Sequence, residues 1–147
     1  MLYLGVDLGG TNIKAALVDE NGEILQETGT PTNLPRSAEA VCDDIAVLCN
    51  QLTAGRDVAG IGVGCPGTVD GGTVLYSNNL DWHNFEMCSY LKAKTNLPVV
   101  VGNDANVAAL GEALVGCAKG AQSAVVVTLG TGVGGGVVLD GKILTGY

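Results

Sequence analysis

Positive charge is scarce in this sequence. Seven Lys and Arg stand against fifteen Asp and Glu, for a formal net charge of −8 and a pI near 4.3. Binding a phosphate backbone needs a basic surface, so no nucleic-acid partner is expected. Histidine occurs once, at His83, with no cysteine near it at ligand spacing, so no zinc site is expected. The five cysteines, Cys42, Cys49, Cys65, Cys88 and Cys117, contain no C-x-x-C pair and are odd in number. They read as buried free thiols of a reducing cytosol. Aromatics make up only 4% of the chain, so the core must come from Val, Ile, Leu and Ala. No basic segment precedes the N-terminal apolar run, and Asp7 interrupts it, so no signal peptide is read. The one charge-free stretch of spanning length runs from Gly120 to Leu139. Its polar residues and clustered glycines fit a buried strand, a glycine turn and a second strand better than a membrane helix. A cytoplasmic protein without membrane contact is the expectation.

Glycine is what the chain has in excess: 23 of 147 residues, about 16% against an ordinary usage of about 7%. With no collagen-like period, the surplus belongs at turns and where backbone approaches a ligand. Alternating apolar residues predict a strand at Leu2–Val6, a second at about Ile13–Val18 and a third near Glu23–Thr28. Ser37 is placed to cap a helix with Ala38, Val41, Cys42, Ile45, Leu48, Cys49 and Leu52 on its apolar side. Ala59–Gly64 reads as a buried strand, followed by a hairpin turning at Gly71-Gly72. Asn84 is read as the cap of a short helix that turns Phe85, Cys88 and Leu91 inward. A core strand at Val99–Val101, a helix over Ala105–Val115 and a strand at Val125–Leu129 follow, then a turn over Gly130–Gly136 and a last hairpin. This is an α/β chain with a mixed sheet, a three-stranded meander followed by alternating helices and strands.

The chain repeats part of itself. Val6-Asp7-Leu8-Gly9-Gly10-Thr11 lies against Val127-Thr128-Leu129-Gly130-Thr131-Gly132, and Leu17-Val18-Asp19 against Val138-Leu139-Asp140. Each copy places a glycine-rich turn directly after a strand, where successive N–H groups can converge on an anion. A lone turn of this kind would read as a tight hairpin; two at related positions, with Asp7 beside the first, read as phosphate loops. Asp7 can hold Mg²⁺, directly or through water. Gly62-Val63-Gly64-Cys65-Pro66-Gly67 has the spacing of a dinucleotide fingerprint, but Pro66 and a hairpin stand where that fingerprint requires a helix. Asp104, at a strand-to-helix junction, reads equally as a helix cap or as a catalytic carboxylate. Asn103 beside it offers a donor and an acceptor suited to a sugar hydroxyl.

Taken together, five segments resemble the ROK family of sugar kinases. They are Asp7-Leu8-Gly9-Gly10-Thr11-Asn12-Ile13-Lys14, the loop Gly62 to Asp70, Asn79-Leu80-Asp81-Trp82, the segment Asn103 to Glu112, and Thr131-Gly132-Val133-Gly134-Gly135-Gly136. The resemblance covers nearly the whole chain. It implies an actin-like ATPase (ribonuclease H-like) lobe over residues 1–147, with the start of a second lobe's repeat at about 122–147. It implies ATP with Mg²⁺ as cofactors and a hexose as substrate. Asp104 would be the base, with Gly67, Thr68, Asn79 and Asn103 also at the sugar. Asp7, Gly9, Gly10, Thr11, Asn12, Thr131, Gly132, Val133 and Gly134 would hold the nucleotide, Asp7 through Mg²⁺.

In that family a zinc cluster, further sugar ligands and most of the adenine pocket come later in the chain. This segment alone is therefore expected to be an inactive N-terminal piece. Homo-oligomerisation of a full-length protein is compatible with the sequence. Two other readings stay open: a non-catalytic sugar-sensing ROK module, and another actin-like ATPase such as an acyl-CoA-reductase activator.

Overall fold

The computed structural model describes residues 1–130 and 132–145. Strands β1 (Leu2–Leu8), β2 (Asn12–Asp19) and β3 (Ile24–Pro31) form the antiparallel meander. Helix α1 (Ala38–Thr53) then carries the chain across to β4 (Val58–Cys65), which lies parallel to β1. A small antiparallel sheet follows, made of β5 (Thr68–Asp70), β6 (Thr73–Ser77) and β7 (Trp82–Phe85). Helix α2 (Met87–Thr95) leads to β8 (Val99–Asn103), parallel to β4, and the main sheet has the order β3-β2-β1-β4-β8. Helix α3 (Asp104–Leu114) leads into a separate sheet of β9 (Ser123–Leu129), β10 (Val133–Leu139) and β11 (Lys142–Ile143).

The alternation in β1 and β2 puts Leu4, Val6, Leu8, Ile13, Ala15 and Leu17 on one buried face. α1 lays its apolar side on that face, all seven expected residues and Ala46 being buried. Ser37 Oγ accepts the Ala40 N–H at 3.2 Å, and Glu39 in the first turn suits the positive end of the helix. α2 packs beside α1 and is tied to it through Asp43, which accepts from Tyr90 Oη at 2.9 Å and pairs with Lys94 Nζ at 2.8 Å. α3 takes the opposite face, with Val107 seated over the bare backbone of Gly64 and Gly102. No helix among the described residues is long and apolar enough to cross a membrane.

Several local expectations change. Asn84 does not cap a helix: Trp82–Phe85 pair with β6, Asn84 sits there at φ 49°, and α2 begins only at Met87. Packing the half-buried Phe85 ring edge to face on the buried Trp82 ring, centroids 5.7 Å apart, favours the strand over an earlier helix start. The turn after β9 is short, and Val133–Gly136 pair with Val126–Leu129 as strand. Nor is β9 buried on both sides: Val125, Val127 and Leu129 are 72%, 61% and 81% exposed, as is Val133 at 79%.

The cysteines are free, with Cys42, Cys49 and Cys65 buried, Cys88 half-buried and Cys117 exposed. Burial pushes the Cys49 thiol up to about 12; burial and then the nearby Asp104 carboxylate push Cys65 up to about 12; Cys42 is raised as well. An unfolded thiol ionises near its ordinary value of 9.0, so above that pH the unfolded state sheds protons that the folded state keeps. Stability is therefore expected to fall between pH 9 and about 12, by up to about 1.4 kcal/mol per pH unit for each thiol. Urea unfolding across that window should show a shallower decline for Cys49→Ala than for the parent. Parallel declines would mean that other groups set the slope.

Candidate functional site

Three strand ends of the main sheet converge where α3 begins. β1 delivers Asp7 and the Gly9-Gly10 turn, β4 delivers Gly67, and β8 delivers Asn103 and Asp104. The β9–β10 turn joins them because α3 and the second sheet meet almost without side chains. A Cβ at Gly136 would stand 2.5 Å from Ala109 Cβ and 2.8 Å from the Ala105 carbonyl oxygen. Only glycine permits that approach, and it sets the second turn beside the first turn of the helix that carries Asp104.

The result is a cavity of about 490 Å³. Asp7, Gly9, Gly10, Gly67, Asn79, Asn103, Asp104, Gly132, Val133 and Gly134 all line it. Thr68 is exposed on β5, paired with Tyr76, and does not line the cavity. Nor does Thr11, whose carbonyl accepts from the Thr32 N–H at 2.8 Å. Asn12 borders a different hollow of about 710 Å³ on the outer face of β1–β3. That hollow is larger, but the two carboxylates and both glycine turns meet in the smaller one, which makes it the candidate site. Thr131 lies outside the described residues.

Asn103 organises the site. Its Oδ1 accepts the Asn106 N–H at 3.1 Å, making it the N-cap of α3. Its Nδ2 donates to the Gly67 carbonyl at 3.0 Å and to Asp104 Oδ1 at 3.1 Å. One amide thus joins the loop after β4, the helix start and the Asp104 carboxylate. The capping role that competed for Asp104 belongs to Asn103. Asp104 Oδ1 also accepts the Ala105 N–H at 2.8 Å. The neighbouring Cys65 thiol stays protonated for the reasons given above, and so is no nucleophile.

The sequence matches the ROK family over residues 3–147. The chain belongs to the ROK family. It is 42% identical over 151 residues to the glucokinase of Halalkalibacterium halodurans, a match covering 98% of this chain and 46% of that protein. A ROK glucokinase from Streptomyces griseus, solved with glucose and AMPPNP, superposes with a TM-score of 0.93 at 40% identity, over 100% of this chain and 47% of that one. A ROK family transcriptional regulator, a homologue of the E. coli MLC protein, superposes with a TM-score of 0.87 at 28% identity, over 99% of this chain and 38% of that one. This ROK chain thus spans about half the length of the curated relatives it matches. Its mixed sheet is that of the actin-like ATPase fold.

Two residues of this ROK site carry no motif of their own. Thr32, fully buried, donates from Oγ to the Gly9 carbonyl at 2.7 Å and so pins the first glycine turn. It lies between Pro31 and Asn33 in an irregular stretch, where nothing in the sequence pattern marks it. Thr128 lines the cavity with Asp7 and Asp104. The internal repeat marks it, since it stands where the first copy has Asp7.

Proposed function

We propose that this chain is the N-terminal part of an ATP-dependent hexose kinase, glucose being the first substrate to test. The observation that carries the reading is the placing of Asp104 in one cavity with both glycine turns, Asp7 and Gly67. Residues 1–147 would form one lobe, with β9–β11 opening the repeat of a second.

Asp104 takes the proton from the attacking sugar hydroxyl, whose oxygen bonds to the γ-phosphorus as the bond to the β–γ bridging oxygen breaks and ADP leaves. Gly67, Asn79 and Asn103 line the sugar side. Both Nδ2 hydrogens of Asn103 are already engaged, so it meets a hydroxyl through its remaining lone pair or by releasing one of those bonds. Gly9, Gly10, Gly132, Val133 and Gly134 supply backbone to the phosphates. Asp7, which lines the cavity, would supply hard oxygen to Mg²⁺, an ion commonly held by one or two carboxylates together with the substrate's phosphates. Bound there, the ion would neutralise charge developing on the phosphates. Among the described residues no three acidic, His or Cys side chains gather into a cage, and a phosphate-shared ion requires none.

The regulator relative supports a second reading, a sugar sensor without transfer. The test is ADP release by the full-length protein with glucose and Mg-ATP. We expect glucose-dependent turnover that is abolished by EDTA. Glucose binding by calorimetry with no ADP formed would turn the assignment to the sensor.

A further inference from the structure

The cavity shared by the two glycine turns poses an electrostatic problem. Two carboxylates, Asp7 and Asp104, line it, and among the described residues no Lys or Arg does. An anionic phosphate chain placed there needs hydrogen-bond donors as well as a cation. Backbone N–H groups supply some, but the first turn uses one internally, Gly9 N–H to the Asn12 carbonyl at 2.9 Å, and the second uses Gly130 N–H to the Gly132 carbonyl at 2.9 Å. Asp7, ionised, only accepts. At the matching place in the second copy of the repeat the chain carries Thr128, which can donate.

Several observations fix where that hydroxyl sits. Thr128 is the register partner of Gly134 across β9 and β10. A Cβ at Gly134 would stand 2.6 Å from Thr128 Oγ1 and 3.0 Å from Ala105 Cβ. The hydroxyl therefore fills the space that a side chain at Gly134 would take, against the first turn of the helix bearing Asp104. Thr128 also lines the adjoining cavity of about 410 Å³, again with Asp7 and Asp104. Its inward neighbours on β9 are Ala124 and Val126, so a purely packing role would have been met by an apolar β-branched residue without placing a hydroxyl in a half-buried position.

We propose that Thr128 is a further nucleotide-binding residue, its hydroxyl donating to a phosphate oxygen between the two glycine turns. The assignment rests on the kinase reading above. It also explains why Gly134 is bare: the glycine leaves room for the hydroxyl as much as for the phosphate.

The test is calorimetric titration of the full-length protein with Mg-AMPPNP and, separately, with glucose, comparing wild type, Thr128→Val and Thr128→Ser. Valine keeps the shape and strand preference but removes the donor; serine keeps the donor. A lost hydrogen bond to a charged group should weaken Mg-AMPPNP binding about tenfold to a hundredfold in Thr128→Val. Glucose affinity and melting temperature should be unchanged, and Thr128→Ser should restore nucleotide binding. Wild-type affinity in Thr128→Val overturns the assignment and leaves the kinase reading standing. Equal loss of nucleotide, glucose and melting temperature overturns it in favour of packing. Wild-type protein that takes glucose but no nucleotide overturns the kinase reading, and this assignment with it.

Discussion

Asp104→Asn in the full-length protein is expected to lower kcat for hexose phosphorylation by about 10²- to 10⁴-fold, the range that general-base catalysis supplies. The substitution is nearly silent for the fold. An Asn Oδ1 at this position can accept the same two bonds, from Ala105 N–H and Asn103 Nδ2. The helix cap is untouched because Asn103 provides it. What is lost besides the base is one negative charge in the first turn, worth about 0.3–1 kcal/mol. Glucose KM should move little, so the loss falls on kcat. A variant with near-normal kcat would remove Asp104 from proton transfer and leave it a local partner of Asn103.

Gly67→Ala is expected to have the largest effect among single methyl additions around the cavity. Gly67 holds φ +107°, which L-residues rarely adopt, and its missing Cβ points into β6. An added methyl would overlap the Tyr76 carbonyl oxygen and stand 2.8 Å from Ser77 Cα, and neither backbone atom can yield without moving the strand. Strain and overpacking together should remove about 2–5 kcal/mol of stability. Because the Gly67 carbonyl accepts from Asn103, the displaced loop should also raise glucose KM more than tenfold, about 1.4 kcal/mol. Gly71→Ala is the control. It shares a positive φ of +54° but faces open space, so it should cost only about 1 kcal/mol and leave KM alone. Equal effects at both positions, read by urea unfolding and steady-state kinetics, would place the cost in backbone strain alone.

Much of this fold was legible because its elements obey short-range rules. α1 announces itself through seven apolar positions at helical spacing and a serine one residue ahead of them. The glycine turns were legible because each follows a strand and the two copies align. What escaped depends on long-range partners. Trp82–Phe85 became a strand because β6 offered an edge and the rings offered each other, neither of which is visible in four residues. Thr32 acts through a carbonyl 23 residues away. The cap of α3 fell on Asn103 rather than Asp104, a one-residue distinction that only backbone angles settle. β9 looked core-like because Val125, Val127 and Leu129 say what the strand can bury, not what lies across from it.

The outward side of that second sheet governs how the 147-residue chain behaves as a colloid. Val125, Val127, Leu129 and Val133 form an adhesive patch on a particle whose net charge of −8 otherwise keeps copies apart. The repulsion is long-ranged in dilute buffer and shrinks to a Debye length of about 8 Å at physiological salt, while the apolar attraction does not weaken. Added salt therefore shortens the repulsion between copies and leaves their apolar faces free to meet.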